Sequence, residues 1–320
     1  MIPSELRRDV AKLKAQATAS ADDIGSIVLA NRKCAQRPRR TLATLEALAE
    51  RPGLVGRMAR GDLRIGRIGD STAPITEPET ERAQQMGEFF DDPLGFVMWA
   101  FDWGADPPLR VVKLPDDYRV IYDSEYGPEQ WACEMFEEIG RQVREHAFDG
   151  TAPVDAIRMA TASGHGISKS ASTGMLVAWI MSSRPNARGV ITASTAVQLE
   201  SKTWSEVQKW NRRSITGDWF NITTGKGSMR MMQKDRPESW RCDAQTAREE
   251  AAESFAGLHA ADSMPFFILD EASGVPDKIF ETAQGGLTDG EPLMAAFGNP
   301  TRNSGWFFEC FHAQRHRWQT

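Results

Sequence analysis

Residues 156–183, AIRMATASGHGISKSASTGMLVAWIMSS, constrain the fold more than any other stretch of the chain. A short run of apolar and small residues, AIRMATAS, reads as a strand and runs straight into a Gly/Ser loop. A helix-length segment, KSASTGMLVAWIMSS (169–183), follows without a break. The pattern recurs downstream. GVITAST (189–195) reads as a strand and AVQLESKTWSEVQKWNRR (196–213) as a helix. After a middle section with two weaker strands come the strand PFFILDEA (265–272), a helix after Pro276, and the strand segment LMAAFGNP (293–300). Strands alternating with helices predict an α/β fold with a mostly parallel sheet and helices on both faces.

The N-terminal part reads differently. TLATLEALAE places Leu42, Leu45 and Leu48 at helical spacing, and GDSTAPITEPETE (69–81) has the Pro/Thr/Glu composition of a linker. Residues 1–82 are therefore expected to form a helical, partly disordered extension, and 83–320 the folded domain. FFDDPLGFVMWAFDWG (89–104) is too aromatic to stay in water, and Trp131, Met135, Ile139 and Val143 recur every four residues, as on an amphipathic helix.

Charge is unevenly spread. Residues 1–70 carry 14 Lys/Arg against 8 Asp/Glu, residues 71–140 carry 4 against 16, and the whole chain is at -6. An acidic total argues against a protein that simply coats nucleic acid, but leaves room for a local basic surface. The four cysteines, Cys34, Cys133, Cys242 and Cys310, form no C-x-x-C pair, so reduced thiols are expected and a zinc site is not. No apolar run approaches the roughly 20 residues of a membrane helix.

Three motifs carry chemistry. The loop TASGHGISKS (161–170) follows the phosphate-binding spacing G-x-x-x-x-G-K-[ST] with serines, Ser163 and Ser168, at the two framing glycine positions. Gly164, His165, Gly166 and Ile167 lie between them. A triphosphate tail needs converging backbone N–H groups, a helix N-terminus and a cation. Lys169 supplies the cation for the β- and γ-phosphates, and the Ser170 hydroxyl a ligand for Mg²⁺. A Gly/Ser turn with no ligand would look much the same in isolation. The second motif, FFILDEA, ends a buried strand in two acids, with Asp270 suited to the Mg²⁺ shell and Glu271 to activating water. Read alone, the pair is also an ordinary helix cap. Loop and acids together, about 100 residues apart in an alternating chain, predict a P-loop NTPase of the ASCE/RecA-like kind, using ATP and Mg²⁺. In the third, AFGNPTRNSGWFF (296–308), Asn299 or Thr301 would sense the γ-phosphate, unless the segment is only a Gly-Pro turn.

SGHGISKS, TASTAVQLESKTW, FFILDEASGVPDKIFE and GNPTRNSGWFF together resemble the ATPase domain of the large terminase subunit of tailed bacteriophages, the motor that pumps DNA into the procapsid. The resemblance runs from about Phe89 to the end of the chain. It implies that Lys169 and Ser170 are phosphate and Mg²⁺ ligands, Asp270 the metal-holding acid, Glu271 the catalytic base and Asn299 part of a coupling motif. It further implies that Gln130, in GPEQW, reads adenine, although a surface glutamine at a helix start would look the same. Double-stranded DNA, a small terminase subunit, the portal protein and a homo-oligomeric ring are the implied partners. The implied location is the bacterial host cytoplasm and, transiently, the procapsid portal vertex, with no membrane.

Two departures stand out. The family has glycine immediately before the lysine, where this chain has Ser168; a side chain there would crowd phosphate, although a helix start accepts serine. Weaker nucleotide binding is expected, not its loss. Large terminases also continue into a nuclease domain built on clustered carboxylates, and no such cluster follows here, so that domain and DNA cleavage are expected to be absent. An arginine completing a neighbouring subunit's site would come from Arg184, Arg188, Arg212 or Arg213, the last two equally explicable as partners of a helix dipole. TTGKGSMRMMQK (223–234) suits phosphate contact or a plain surface hairpin. Two other functions fit the same residues: a degenerate remnant that binds nucleotide or DNA without turnover, and a helicase-like translocase outside phage assembly.

Overall fold

The computed structural model describes residues 86–320, apart from 107, 108, 110, 111, 165, 226 and 227. The extension expected over 1–82 lies outside the described residues, as do His165 and Cys34.

The aromatic segment opens the described chain. Asp92 caps helix α1 (Pro93–Ala100), its carboxylate accepting from Gly95 N at 2.8 Å, with proline in the first turn where no N–H is needed. Phe89, Phe96, Trp99 and Phe101 are buried together, Phe96 meeting Phe89 and Phe101 edge to face, and Phe101 meets Trp210 at 4.9 Å between centroids. Helix α2 (Asp116–Tyr122) leads to α3 (Gln130–His146), which buries Met135, Ile139 and Val143 as the four-residue spacing predicts.

The sheet follows: β1 (Ile157–Ala162), helix α4 (Lys169–Ser183), β2 (Arg188–Ala193), α5 (Ala196–Gln198), a π turn (Leu199–Trp204) and α6 (Ser205–Arg213). Then come β3 (Phe220–Thr223), β4 (Arg230–Gln233), β5 (Arg241–Thr246), β6 (Pro265–Asp270), α7 (Asp277–Gly285), β7 (Leu293–Gly298) and α8 (Trp306–Glu309). The strand order is β1-β7-β6-β2-β5-β4-β3. The first five are parallel, and β4 and β3 are added antiparallel as an edge hairpin.

The run PFFILD explains the layering. Every residue of β6 is buried, with Phe266 and Ile268 in one core and Phe267 and Leu269 in the other. A strand buried on both faces needs helices above and below. The first core holds α1, α3, α4 and α6 around Trp179; the second holds α7, Phe255 and Phe307. Two features differ from expectation. The middle section contributes three strands, not two; β4, RMMQ, between β5 and the edge strand β3, buries alternate residues only, a weaker signal than β6. The helix expected over 196–213 is interrupted by the π turn, which carries the buried side chains Leu199, Thr203 and Trp204.

Cys133, Cys242 and Cys310 are buried free thiols, Cys133 pushed up to about 12 chiefly by burial. Among the described residues no helix is long and apolar enough to cross a membrane.

Candidate active site

Open parallel sheets bind ligands beyond the carboxyl ends of their strands. Here β1 delivers the Gly/Ser loop to that edge, β6 delivers Asp270 and Glu271, and β7 lies between them and delivers Asn299. Register fixes the juxtaposition: Ala162 pairs with Gly298, and Leu269 with Ala296. Residues separated by more than 100 positions thus meet at one rim.

The loop is built for close approach. Gly166 has φ 84, a conformation that side chains resist. The first bond of α4 runs from Ser172 N to Ser168 O at 2.9 Å, so the amides of Lys169, Ser170 and Ala171 have no acceptor inside the helix. They converge with the positive end of the helix dipole on one point, as an anion requires. Lys169 is nearly buried, and its Nζ donates to Gly164 O (2.6 Å), Asn299 Oδ1 (2.7 Å), Ser163 Oγ (3.1 Å) and Ser163 O (3.2 Å). Burial holds its pKa below the usual lysine value, with Glu271 and then Asp270 pulling it back up. A cation held by neutral oxygens in a half-dry loop gains most from an arriving anion.

The two acids are held differently. Asp270, 2% exposed, accepts three donors: Thr203 Oγ1 at 2.6 Å and Ser170 Oγ at 3.1 Å on Oδ2, and Glu271 N at 3.0 Å on Oδ1. Glu271 stands at the rim, half-buried and in a left-handed conformation (φ 51, ψ 44). Among the described residues nothing hydrogen-bonds its carboxylate. Strained backbone of this kind, costing about 1–3 kcal/mol, persists where the surroundings over-determine it. Ser273 Oγ donates to Asn299 O, tying the acid loop to the segment after β7.

Ser170 Oγ and Asp270 Oδ2 are hard oxygens 3.1 Å apart, the donor type that Mg²⁺ takes. Among the described residues no group of three His, Cys, Asp or Glu side chains could hold a metal.

Other expected residues fare unequally. Gln130 begins α3, exposed, and donates to Glu134 Oε1 on its own helix at 2.9 Å. Its neighbours reach the loop: Trp131 Nε1 donates to Ile167 O at 3.1 Å, and Ser168 Oγ to Glu129 Oε1 at 3.4 Å. Thr301 is exposed beyond Asn299, in a groove with Arg302 and Phe308, so the amide, not the hydroxyl, meets Lys169. Arg184 is fully buried against Glu291, which removes it as an arginine acting on a neighbouring chain. Arg213 pairs with Asp106 at 2.8 Å, and Arg188 begins β2, at the sheet edge opposite the loop. Arg212 remains exposed. Glu129, Ser273 and Thr203 carry no functional signal of their own in the sequence, although Thr203 lies within the motif TASTAVQLESKTW, and Trp131 reads only as part of an amphipathic helix face.

Ser168 needs correction. It is not in an ordinary cap conformation but left-handed, φ 57 and ψ 22, and caps nothing. An L-residue there costs about 1–2 kcal/mol that glycine avoids. A Ser168→Gly variant is expected to raise the melting temperature, glycine's extra unfolded-state freedom offsetting part of the gain. It is also expected to tighten Mg-ATP binding in calorimetry. A higher melting temperature with unchanged affinity would mean that the serine strains the fold without hindering phosphate.

A lysine-serine loop after the first strand, an acid pair two strands away and an inserted strand between them define a P-loop NTPase fold of the ASCE/RecA-like order. No family model matches the chain. Over 162 residues, 47% of its length, it is 29% identical to a probable large terminase subunit of Enterobacteria phage P7, of which it covers 30%. That similarity bears out the resemblance read from the motifs. Among solved structures, the large terminase ATPase domain of Thermus phage P74-26 aligns at 18% identity and TM-score 0.39 over 62% of this chain and 75% of that one. The large terminase of bacteriophage HK97 aligns at 13% and 0.45 over 72% and 42%.

Proposed function

We propose that the chain is the ATPase motor domain of a phage large terminase subunit, coupling Mg-ATP hydrolysis to movement of double-stranded DNA into a procapsid. One observation carries the ATPase part: at one rim Lys169 Nζ donates to Asn299 Oδ1, and its neighbour Ser170 donates through Oγ to Asp270 Oδ2, 100 residues further along the chain. Lys169 and the first amides of α4 would cradle the β- and γ-phosphates. Ser170 and Asp270 would hold Mg²⁺, which neutralises phosphate charge when bound. The unbonded Glu271 carboxylate would orient the attacking water and take its proton. Asn299, bonded to Lys169, would exchange that contact when γ-phosphate leaves and pull on the segment that follows β7.

DNA translocation, a homo-oligomeric ring, and docking to a small terminase subunit and a portal protein at the procapsid vertex in the host cytoplasm rest on the similarity to large terminases. Gln130 is proposed to read adenine, with the extension 1–82 flanking the motor domain of 83–320. The strained Ser168 favours a second reading, a remnant that binds nucleotide without turning it over.

One set of measurements separates these readings. Calorimetry of Mg-ATP against Mg-GTP, with the wild type and Gln130→Ala, is expected to show binding with a preference for ATP that the variant loses. Turnover stimulated by linear duplex DNA supports the motor; binding without turnover supports the remnant. No heat with Mg-ATP in folded protein would remove both.

A further inference from the structure

We propose that Thr203 is a positioning residue: it sets the orientation of the Asp270 carboxylate, and the π turn Leu199–Trp204 is the device that brings its hydroxyl there. The inference rests on the Mg-ATP reading above and goes beyond it by adding a residue that touches neither phosphate nor attacking water.

A hydroxyl inside a helix normally bonds back to the carbonyl of the preceding turn. Two neighbours of Thr203 do so. Ser201 Oγ donates to Val197 O at 2.6 Å, and Ser205 Oγ to Ser201 O at 2.9 Å, both at the surface. Thr203 does not. Its side chain is 1% exposed, and its hydroxyl goes to Asp270 Oδ2, across 67 positions of sequence, at 2.6 Å. This is shorter than the 3.1 Å bond that Ser170 Oγ makes to the same oxygen.

The oxygen chosen matters. Oδ2 faces the phosphate loop through Ser170, whereas Oδ1 is held from behind by Glu271 N. One donor on each oxygen leaves a carboxylate room to tilt. A second donor on Oδ2, from a direction set by another element, fixes the plane. Outer donors of this kind orient metal-binding carboxylates, and their removal typically costs about 10- to 100-fold in metal affinity or activity. The π turn supplies the reach. Leu199 and Trp204 anchor it in the core, and Trp204 Nε1 donates to Thr223 O at 3.0 Å. Between those anchors Thr203 is turned to the acid. Single π turns inside helices are frequent at functional sites.

Thr203→Val removes the hydroxyl at nearly constant volume, Thr203→Ser keeps it, and Thr203→Ala is a second variant without it should the valine pack badly. The probe is Mn²⁺, titrated with ADP in excess and read by electron paramagnetic resonance, beside thermal melts in metal-free buffer. For folded Thr203→Val or Thr203→Ala we expect Mn²⁺ binding weakened about 10- to 100-fold, unchanged ADP affinity without metal, and recovery in Thr203→Ser. Mn²⁺ binding equal to wild type in a hydroxyl-free variant, or a serine variant as weak as valine, would overturn the inference alone. A wild-type protein that takes up no Mn²⁺ with ADP would overturn the nucleotide reading and this inference with it.

Discussion

Replacing Glu271 with glutamine is expected to lower ATP turnover by about 10²–10⁴-fold and leave Mg-ATP binding intact, the range over which a positioned general base acts. The expectation follows from how the acids divide the work. Asp270 is locked by three donors and nearly buried, so it cannot swing toward a water. Glu271 has no hydrogen-bond donor on its carboxylate among the described residues and stands at the rim on a left-handed turn. Glutamine keeps the shape and the turn but cannot accept the proton. Because the substitution keeps the backbone bond from residue 271 N to Asp270 and the Glu271 carboxylate hydrogen-bonds neither Lys169 nor Ser170, affinity for Mg-ATP should move little. Single-turnover hydrolysis and calorimetry on the same preparation read the two halves separately. Turnover within a few-fold of wild type would remove Glu271 as the base. Asp270→Asn is the contrasting case, where loss of the proposed Mg²⁺ ligand should weaken both binding and turnover.

Much of this arrangement is legible in the sequence because strong local signals carry it. Alternating apolar runs and helical periods yield the parallel strands, and PFFILD, a short continuous apolar run, reads as a strand buried on both faces and is one. The lysine-serine loop and the acid pair sit at strand ends by spacing alone. What escapes is information held in tertiary geometry. The left-handed conformation of Ser168 is imposed by the loop's exit into α4, and a serine before a helix ordinarily signals a cap. Thr203 looks like any helical threonine until the π turn and β6 place it against Asp270. Arg184 and Arg188 look alike in sequence, yet one ends in the core and the other at the edge opposite the site. The weak strands fail for another reason: RMMQ buries alternate residues only, so its apolar content is that of a surface hairpin.

Arg184 carries the largest expected effect on stability. Its guanidinium lies at the end of α4, wholly buried, bonded to Glu291 Oε2 at 3.0 Å and Phe90 O at 2.6 Å, and 3.3 Å from the centroid of the Phe90 ring. Burial holds the arginine's pKa down and pushes the Glu291 carboxyl up, each partner opposing the other's shift. The pair joins α4, the start of β7 and the aromatic segment before α1, none adjacent in sequence. Arg184→Met leaves a buried carboxylate unpaired, and Glu291→Leu a buried cation; either should cost about 3–5 kcal/mol. At about 2–4 °C per kcal/mol for a domain of this size, that is a fall of about 6–20 °C in melting temperature. The double variant should recover most of the loss, since apolar side chains of similar volume often match or exceed a buried ion pair. The pair is also incompletely satisfied: Arg184 Nε and Glu291 Oε1 have no hydrogen-bond partner among the described residues. Glu291 begins the approach to β7 at the sheet edge opposite Asn299, so Mg-ATP affinity measured well below the melting point should not change. A double variant no more stable than the sum of its parts would show that the two charges do not compensate one another. The stability would then reside in the Arg184–Phe90 contacts instead.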